Sequence, residues 1–593
     1  MSQTHELSRV EGIRHTLSHL LAAAVLDLYP GAKMTTGPAV ENGFYEDFDM
    51  NETIKEEDLP KIEQRMRELL KTWDILERRE VTPEEARKQF AWNPYKLELI
   101  DDFSKDGKQL TFYISGEFIE LCRGGHIDDA REINHKAFKL TKVSGAYWRG
   151  DQTKQQLQRV YGVAFEKPNE LKSYLLMLEE AKKRDHRKLG QELDLFVFSD
   201  LVGAGLPLFT PRGTVLREEL VAFSNQLRLE IGFEKVWIPH MTKKDLYEVS
   251  GHWAKFGGEL FLVKSQETSD QLVLKPMNCP HHTRIYASRQ RSYRDMPVRY
   301  LETTTVYRDE KTGELGGLNR VRSITQDDSH VFCRDDQIES EIQQLLAAAR
   351  RLYKTVDMSL RVRLSYRDES DGYLGAPELW ESAQAQLKAA VVANELNYFE
   401  KTGEAAFYGP KIDFMATDAL GREHQVATVQ LDFVQPQRFG LEYTSEDGMM
   451  RQPIMIHCAL LGSIERFLAV YIEHTAGKFP IWLAPEQLRL VTVNQDEAII
   501  ALAEDIRRQA FGLGVRATVD ASNESVGKKI RASELMKIPY TVVVGEKELA
   551  EGLLSPRIRK DLARSEAAAL LPINDLLVTI QAESKARQNS SSF

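Results

Sequence analysis

Residues 298–330 read VRYLETTTVYRDEKTGELGGLNRVRSITQDDSH. Valine, threonine, tyrosine and leucine crowd the first ten positions, a composition that suits a pleated strand. TGELGGL then supplies a Gly-rich turn, and Asn319-Arg320-Val321-Arg322 resumes a strand-like run. The stretch predicts two strands joined by a loop, with guanidinium groups projecting from both. Similar β-type runs lie on either side, among them KVWIPHM, QLVLKPM, RVRLSYR, KIDFMATDA and HQVATVQLDFV. Helices interrupt them without regular βαβ alternation, which favours one large antiparallel sheet over residues 191–485.

The flanks have a different texture. At the N-terminal side, HTLSHLLAAAVLDLYPG repeats its leucines and alanines at helical spacing and stops at Tyr29-Pro30-Gly31, so His15 and His19 share one helix face. EEDLPKIEQRMRELLKTW is a polar helical stretch, and Thr82-Pro83-Glu84-Glu85 reads as an N-cap, a proline at N1 and a capping-box glutamate. With the strand-like LTFYI and KAFKLTKV, residues 1–165 predict an α+β domain. A charged amphipathic helix over residues 166–190 would connect it to the sheet domain. After Pro485 the order is strand RLVTV, helix DEAIIALAEDIRRQAFGL, strand RATVD, helix KKIRASELMK and strand YTVVVG. Residues 486–593 thus predict a small α/β domain with a parallel-type sheet, ending in a polar tail, KARQNSSSF, expected to fray. A chain of 593 residues fits this multidomain reading, at roughly 100 to 200 residues per domain.

Composition narrows the class. Hydrophobic residues make up 42% and charged residues 28%, ordinary for a soluble globular protein. There is no signal-like start and no run of about 18 apolar residues, so no membrane association is expected and the cytoplasm is the expected location. Four cysteines, Cys122, Cys279, Cys333 and Cys458, are too few and too scattered for a disulfide framework, which leaves ligand or catalytic roles open. The net charge of −11 argues against a globally basic nucleic-acid protein, so an RNA partner requires local positive charge.

Three segments of the sheet domain offer metal donors: Met277-Asn278-Cys279-Pro280, Gln326-Asp327-Asp328-Ser329-His330 and Ile456-His457-Cys458. Cys279, His330 and His457 would form a three-ligand zinc site with open coordination positions, as a catalytic or substrate-binding zinc requires; by spacing alone buried core residues are the favoured reading. Arg308, Arg320 and Arg466, the last in Gly462-Ser463-Ile464-Glu465-Arg466 at the head of an apolar helix, offer forked donors suited to phosphate. In the first domain, His15, His19, Cys122 and His126 form a quartet that by ligand type alone is a tetrahedral structural zinc site.

RDE-loop-R resembles motif 2 of the class II aminoacyl-tRNA synthetases, GSIERF resembles motif 3, and the segment around Val236-Trp237-Ile238-Pro239 resembles motif 1, the usual dimerisation element. KPMNCP, TQDDSH, AFYGPKIDF, VQLDF and LGSIERF together resemble the threonyl-tRNA synthetases within that class, along essentially the whole chain. The resemblance implies an N-terminal editing domain (1–165), a linker helix (166–190), a class II antiparallel-sheet catalytic domain (191–485) and an anticodon-binding domain (486–593). It implies activation of threonine with ATP and Mg2+, transfer to tRNA(Thr), hydrolysis of misacylated seryl-tRNA(Thr), one Zn2+ per subunit, and a homodimer.

Position by position, the resemblance makes Cys279, His330 and His457 the zinc ligands. Arg308 becomes the α-phosphate contact, Glu310 an adenine contact, and Arg320 and Arg466 the partners of the distal phosphates, with Arg466 also over the adenine. Asp328 and Tyr408 would hold the substrate ammonium. Met277, Lys411, Gln425, Gln430 and Ser463 would complete the amino-acid site, and Gln326 and Lys411 would join Arg308, Arg320 and Arg466 as catalytic residues. The quartet becomes a metal-free pocket for seryl-tRNA, joined by Lys96 and Glu120. Asn523, Arg531, Glu548 and Arg557 fall at anticodon contacts, with Lys528, Lys529, Arg559 and Lys560 as local positive charge.

The sequence also departs from the family. The small domain that usually precedes the editing domain is expected to be absent. Ile324 stands where an aromatic commonly stacks on adenine, and His281, Gly316 and Cys458 replace Gly, His and Arg, so weaker ATP binding is expected. The rival reading, a non-catalytic tRNA- or mRNA-binding paralogue, would be expected to lose zinc ligands or motif arginines, yet all are retained.

Overall fold

The structure, a computed structural model, describes residues 8–151, 153–370, 372–564 and 570–593. It comprises two compact units, Met1–Glu179 and Glu180–Phe593. The division lies within the helix Pro168–Arg184. The connector expected as one helix is in fact two, because Asp185 leaves helical geometry and caps a second helix, His186–Glu192, by accepting the Arg187 N–H.

In the first unit the helix Arg9–Leu28 starts with the Ser8/Glu11 capping box and is buried along most of its length. Such all-round burial fits its leucine- and alanine-rich sequence. Leu17, Leu20, Leu21 and Val25 share one core with Phe44, Phe48 and Val160 of a five-stranded sheet. A second, three-stranded sheet combines Glu77–Val81, Leu110–Ser115 and Phe118–Leu121. Thr82 and Glu85 form the expected capping box, with Pro83 at N1. The unit is α+β, as its sequence indicates.

The second unit is built on an eight-stranded sheet. Its strands in chain order are β1 (Glu234–Lys235), β2 (Val298–Tyr307), β3 (Ser323–Cys333), β4 (Ser359–Tyr366), β5 (Tyr398–Thr402), β6 (Lys411–Thr417), β7 (Glu423–Asp432) and β8 (Ile454–Ser463). They lie in the order β1-β2-β3-β8-β7-β6-β4-β5, antiparallel except for the two edge pairs β1–β2 and β4–β5. Helices Pro211–Glu230, Ile338–Thr355 and Ile464–Thr475 contribute to the same buried core. The quoted stretch differs from expectation at its centre. β2 ends at Tyr307 and β3 begins at Ser323, so Arg308, Arg320 and Arg322 all sit on the connecting loop. At KVWIPHM the main-sheet strand is Glu234–Lys235, followed by the Val236 N–H on the Leu301 carbonyl, and Trp237 stands 78% exposed beyond it.

Strands Ala517–Asp520, Leu488–Thr492 and Tyr540–Val544 form the expected parallel sheet, and Pro556–Ile558 adds an antiparallel edge. The tail is docked rather than frayed. Ser591 is buried, the Tyr540 hydroxyl lies 2.6 Å from Glu583 Oε2 and 2.7 Å from Ser591 Oγ, and Asn589 donates to the Thr355 carbonyl. Arg587 lies over the Phe223 ring at 4.0 Å. Short polar side chains signalled a loop, yet here they satisfy buried acceptors.

Candidate active site

Pairing register assembles the site. His330 on β3 lies opposite His457 on β8, which lies opposite Gln430 on β7. Side chains two apart on a strand share a face, so Asp328 projects on the same side as His330, and Asp432 on the same side as Gln430. The intervening residue Asp327 serves the other face. It is fully buried and accepts the Ser224 hydroxyl at 2.5 Å and the backbone N–H groups of Leu460, Leu461 and Gly462 at 3.0 to 3.1 Å. Arg228 stands 3.7 Å from the same carboxylate. These bonds fix the end of β8, where Gly462 has φ 68° and a Cβ would lie 2.6 Å from the Val426 carbonyl oxygen. Only glycine fits there.

Cys279 opens the helix Cys279–Tyr286, and its sulfur lies with one nitrogen each of His330 and His457 in a cluster spanning no more than 4.8 Å. All three residues are buried. His330 Nε2 faces His457 Nδ1 at 3.1 Å. Their remaining nitrogens are engaged from behind: His457 Nε2 with Asp432 Oδ2 at 2.8 Å, and His330 Nδ1 with His282 Nδ1 at 2.8 Å. Such partners fix ring orientation and ligand basicity in metal sites. Burial pushes the His330 imidazole well below its ordinary pKa and the Cys279 thiol well above its own. A neutral imidazole is ready to ligate, whereas the thiol ionises only when a cation compensates it.

A cavity of about 560 Å³ opens on this cluster. Met277, Gln326, Asp328, Tyr408, Gln425, Gln430 and Ser463 line it together with Arg308, Glu310, Arg320, Ile324 and Arg466. Asn278 donates to Asp328 at 3.0 Å, and the Tyr408 hydroxyl donates to Gln430 Oε1 at 2.8 Å. Arg320 pairs with Glu310 at 2.6 Å and Glu314 at 2.7 Å, and is 51% exposed. The pair with Glu314, itself 43% exposed, is worth about 0 to 1 kcal/mol, whereas Glu310, 11% exposed, accepts two guanidinium bonds and holds Arg320 more firmly. Arg466 lies in the first turn of Ile464–Thr475, whose N-cap Ser463 accepts its backbone N–H. Its neighbour Glu465 turns inward to accept the Thr325 N–H at 2.8 Å.

Lys411 stands apart from this group. It does not line the cavity, and its ammonium lies 3.3 Å from Asp413. Asp413 also accepts Gln425 Nε2 at 2.8 Å, and Lys411 lies opposite Gln430 in register, so it stands on the cavity face of the sheet, one strand beyond the lining.

In the first unit, His15, His19, Cys122 and His126 bring their ligand atoms within 4.8 Å of one another. Cys122 Sγ lies 3.5 Å from His15 Nε2 and 3.3 Å from His126 Nε2. Burial lowers all three imidazoles, His126 to about 2, and raises the Cys122 thiol to about 12. The cluster is therefore neutral near pH 7. Unlike the Cys279 cluster, it has no carboxylate bonded to an imidazole among the described residues. The nearby acid, Glu120, is bound instead to Lys96 at 2.5 Å, both side chains being buried. Glu46 was not evident from the sequence. It is 2% exposed, and burial, opposed by Lys96, raises its carboxyl well above the usual range.

In the C-terminal module Asn523 and Glu548 follow the carboxyl ends of two parallel strands, Arg531 lies on the helix Val526–Leu535, and Arg557 on the edge strand. Asn523, Arg531 and Arg557 are exposed, while Glu548 accepts the Gly545 N–H. The expected basic patch is thinner than its sequence implies. Lys529 is buried with Nζ on the Thr492 carbonyl, and Arg559 donates to the carbonyls of Lys537 and Phe479.

Residues 261–475 match the tRNA synthetase class II core domain (G, H, P, S and T), 487–583 the anticodon binding domain, and 110–161 the threonyl and alanyl tRNA synthetase second additional domain. Threonine--tRNA ligase of Gloeobacter violaceus is 46% identical over 582 residues, 97% of this chain and 92% of that protein. The chain belongs to the threonyl-tRNA synthetase family. The Deinococcus radiodurans threonine--tRNA ligase is 47% identical over 92% of this chain and 85% of its own. A solved structure, the RNA binding domain of threonyl-tRNA synthetase from Cryptosporidium parvum, superposes with a TM-score of 0.64 at 35% identity, covering 69% of this chain and 99% of that one.

Against the threonyl-tRNA synthetase pattern, Ile324 and Cys458 line the cavity, whereas Gly316 turns the loop with open space around it. His281 is buried, and neither ring nitrogen has a hydrogen-bond partner among the described residues. Asp432 and His282 escaped the sequence reading. The available signals were strand period two from Gln430 and helix spacing i, i+3 from Cys279.

Proposed function

We propose that this chain activates threonine with ATP, esterifies it to tRNA(Thr), and hydrolyses seryl-tRNA(Thr). The observation that carries the reading is a Cys/His/His cluster opening onto the same cavity as Arg308 and Arg466, whose guanidinium groups carry no hydrogen bond or ion pair among the described residues. Cys279, His330 and His457 would hold zinc, since one thiolate and two imidazoles suit a borderline cation and leave coordination positions open. When bound, the zinc supplies a Lewis-acid centre that favours an amine together with a hydroxyl, a pair that threonine has and valine lacks. Asp328 and Tyr408 stand where an ammonium would be held, and Met277 and Gln430 complete the wall. The threonine carboxylate attacks the α-phosphorus of ATP, bound with its Mg2+, and pyrophosphate leaves. Arg308 steadies the α-phosphate while Arg320, released from Glu310, and Arg466 draw on the departing charge. A ribose hydroxyl of tRNA then takes the threonyl group and AMP is released. Amino-acid-dependent ATP–pyrophosphate exchange across a panel, with zinc quantified per chain, tests this: exchange with threonine and not valine is expected.

We further propose a C₂ homodimer, supported by Trp237 and Leu229, exposed by 78% and 44% beside a groove formed with Val221 and Lys235. Sedimentation at micromolar concentration is expected to give twice the 67.7 kDa chain mass, and a stable monomer would count against it. No helix among the described residues is long and apolar enough to cross a membrane.

Asn523, Arg531, Glu548 and Arg557 would read the anticodon. Arg531→Ala with Arg557→Ala is expected to slow aminoacylation by about tenfold or more, a loss of ~1 to 3 kcal/mol, with pyrophosphate exchange nearly intact. Equal loss of both activities would remove this assignment.

A further inference from the structure

The loop between β2 and β3 carries Glu310 and Arg320, yet between Tyr307 and Ser323 only Leu318 and Val321 are buried. Its two ends are tied down, Asp309 N–H to the Glu259 carbonyl and Arg322 N–H to the Gly205 carbonyl, each at 2.8 Å, with Arg322 also on the Glu310 carbonyl, so Leu318 is the attachment of the far side of the loop. The buried Leu318 N–H needs an acceptor and finds it in His186 Nε2 at 3.1 Å. A backbone N–H only donates, so Nε2 must be unprotonated and the ring proton sits on Nδ1. That nitrogen lies 2.7 Å from Glu473 Oε1, which also accepts the His186 backbone N–H at 3.2 Å. Glu473 is held in turn by Arg422 at 2.6 Å. The adjacent Gly317 has φ 57°, and a Cβ there would lie 2.3 Å from His186 Nε2. Ring and loop are thus in direct contact, with no room for a side chain between them.

We propose that His186, in its Nδ1-protonated neutral form, is a positioning residue for ATP: it links the Glu473 carboxylate to the Leu318 amide and so fixes the loop bearing Glu310 and Arg320. This rests on the reading of that loop as part of the ATP site. His186 itself touches no substrate.

Threonine-dependent and ATP-dependent pyrophosphate exchange of the full chain separates this from a merely structural role. His186→Ala is expected to raise the KM for ATP by about tenfold or more, as misplacement of a positioning group does, and to leave the KM for threonine within about twofold. Asn and Gln divide the two functions of the ring. In His186→Gln the amide oxygen reaches the Nε2 position and can accept the Leu318 N–H, so the KM for ATP should return to within about threefold of wild type. In His186→Asn the amide nitrogen occupies the Nδ1 position, keeps the Glu473 bond and leaves Leu318 without an acceptor, so the defect should persist. Gly317→Ala should reproduce the His186→Ala defect, and the double variant should be no worse than either alone. Equal impairment of the Gln and Asn variants, or a loss confined to melting temperature, would overturn the proposal. Wild-type protein that exchanges with no amino acid would instead overturn the ATP-site reading, and the role of His186 with it.

Discussion

Replacing Cys279 by serine is expected to release the zinc and to reduce threonine-dependent pyrophosphate exchange by about a thousandfold or more, ~4 kcal/mol of lost stabilisation. A hydroxyl is a poor substitute for thiolate in this donor set, and His330 and His457 alone leave too few ligands. The loss falls on discrimination as well as rate. Threonine and valine have nearly the same shape, and an apolar pocket separates such a pair by only about 100-fold. Residual activity in the variant should therefore show little preference for threonine over valine. Cys279 and serine are close in volume, so circular dichroism should be unchanged. Elemental analysis of the purified variant decides the matter: one zinc per chain together with wild-type exchange would remove the metal from the mechanism.

The cluster in the first unit should answer in the opposite way. His15→Ala with His19→Ala is expected to leave zinc content and threonine activation unchanged while seryl-tRNA accumulates. Serine keeps the amine and the hydroxyl and lacks one methyl, which separates it from threonine by roughly 1 to 3 kcal/mol, so the synthetic site admits it. Removal must then come from a second pocket. Imidazoles held neutral by burial, beside the buried Lys96–Glu120 pair, can position a hydrolytic water by accepting its hydrogen bond. Deacylation of preformed seryl-tRNA should fall by about a hundredfold or more, the scale of loss when a positioning group is removed. Loss of one zinc per chain with unfolding of the first unit would make the quartet a structural metal centre instead.

The sequence and the structure agree most where local rules dominate. The Thr82 capping box, the His15/His19 helix and the alternation of the C-terminal module all follow from near neighbours in the chain. The Cys279 cluster could be suggested from residue type, but only resemblance to a family chose it over buried core residues, because its members are brought together by strand register across long separations. Asp432 and His282 were missed for the same reason: their roles are defined by the ring nitrogens they face, which periodicity does not reveal. Lys411 and Lys529 show the converse. Both looked available for substrate or RNA, and both spend their charge on internal partners. The NSSSF tail was misread because polar composition signals solvent, whereas Tyr540 and Glu583 offer it buried hydrogen bonds.

One feature of β3 bears on how such an enzyme can change over time. Its odd positions, Asp327 and Ser329, brace the neighbouring strand from beneath, and its even positions, Asp328 and His330, face the cavity. A single inserted or deleted codon upstream on this strand would exchange the two sets, putting the brace into the pocket and the pocket residues into the apolar core. Point substitutions can therefore explore substrate choice here while length changes cannot. Recombination or loop grafting intended to alter specificity should exchange β3 and β8 as an intact pair, leaving indels to the surface turns.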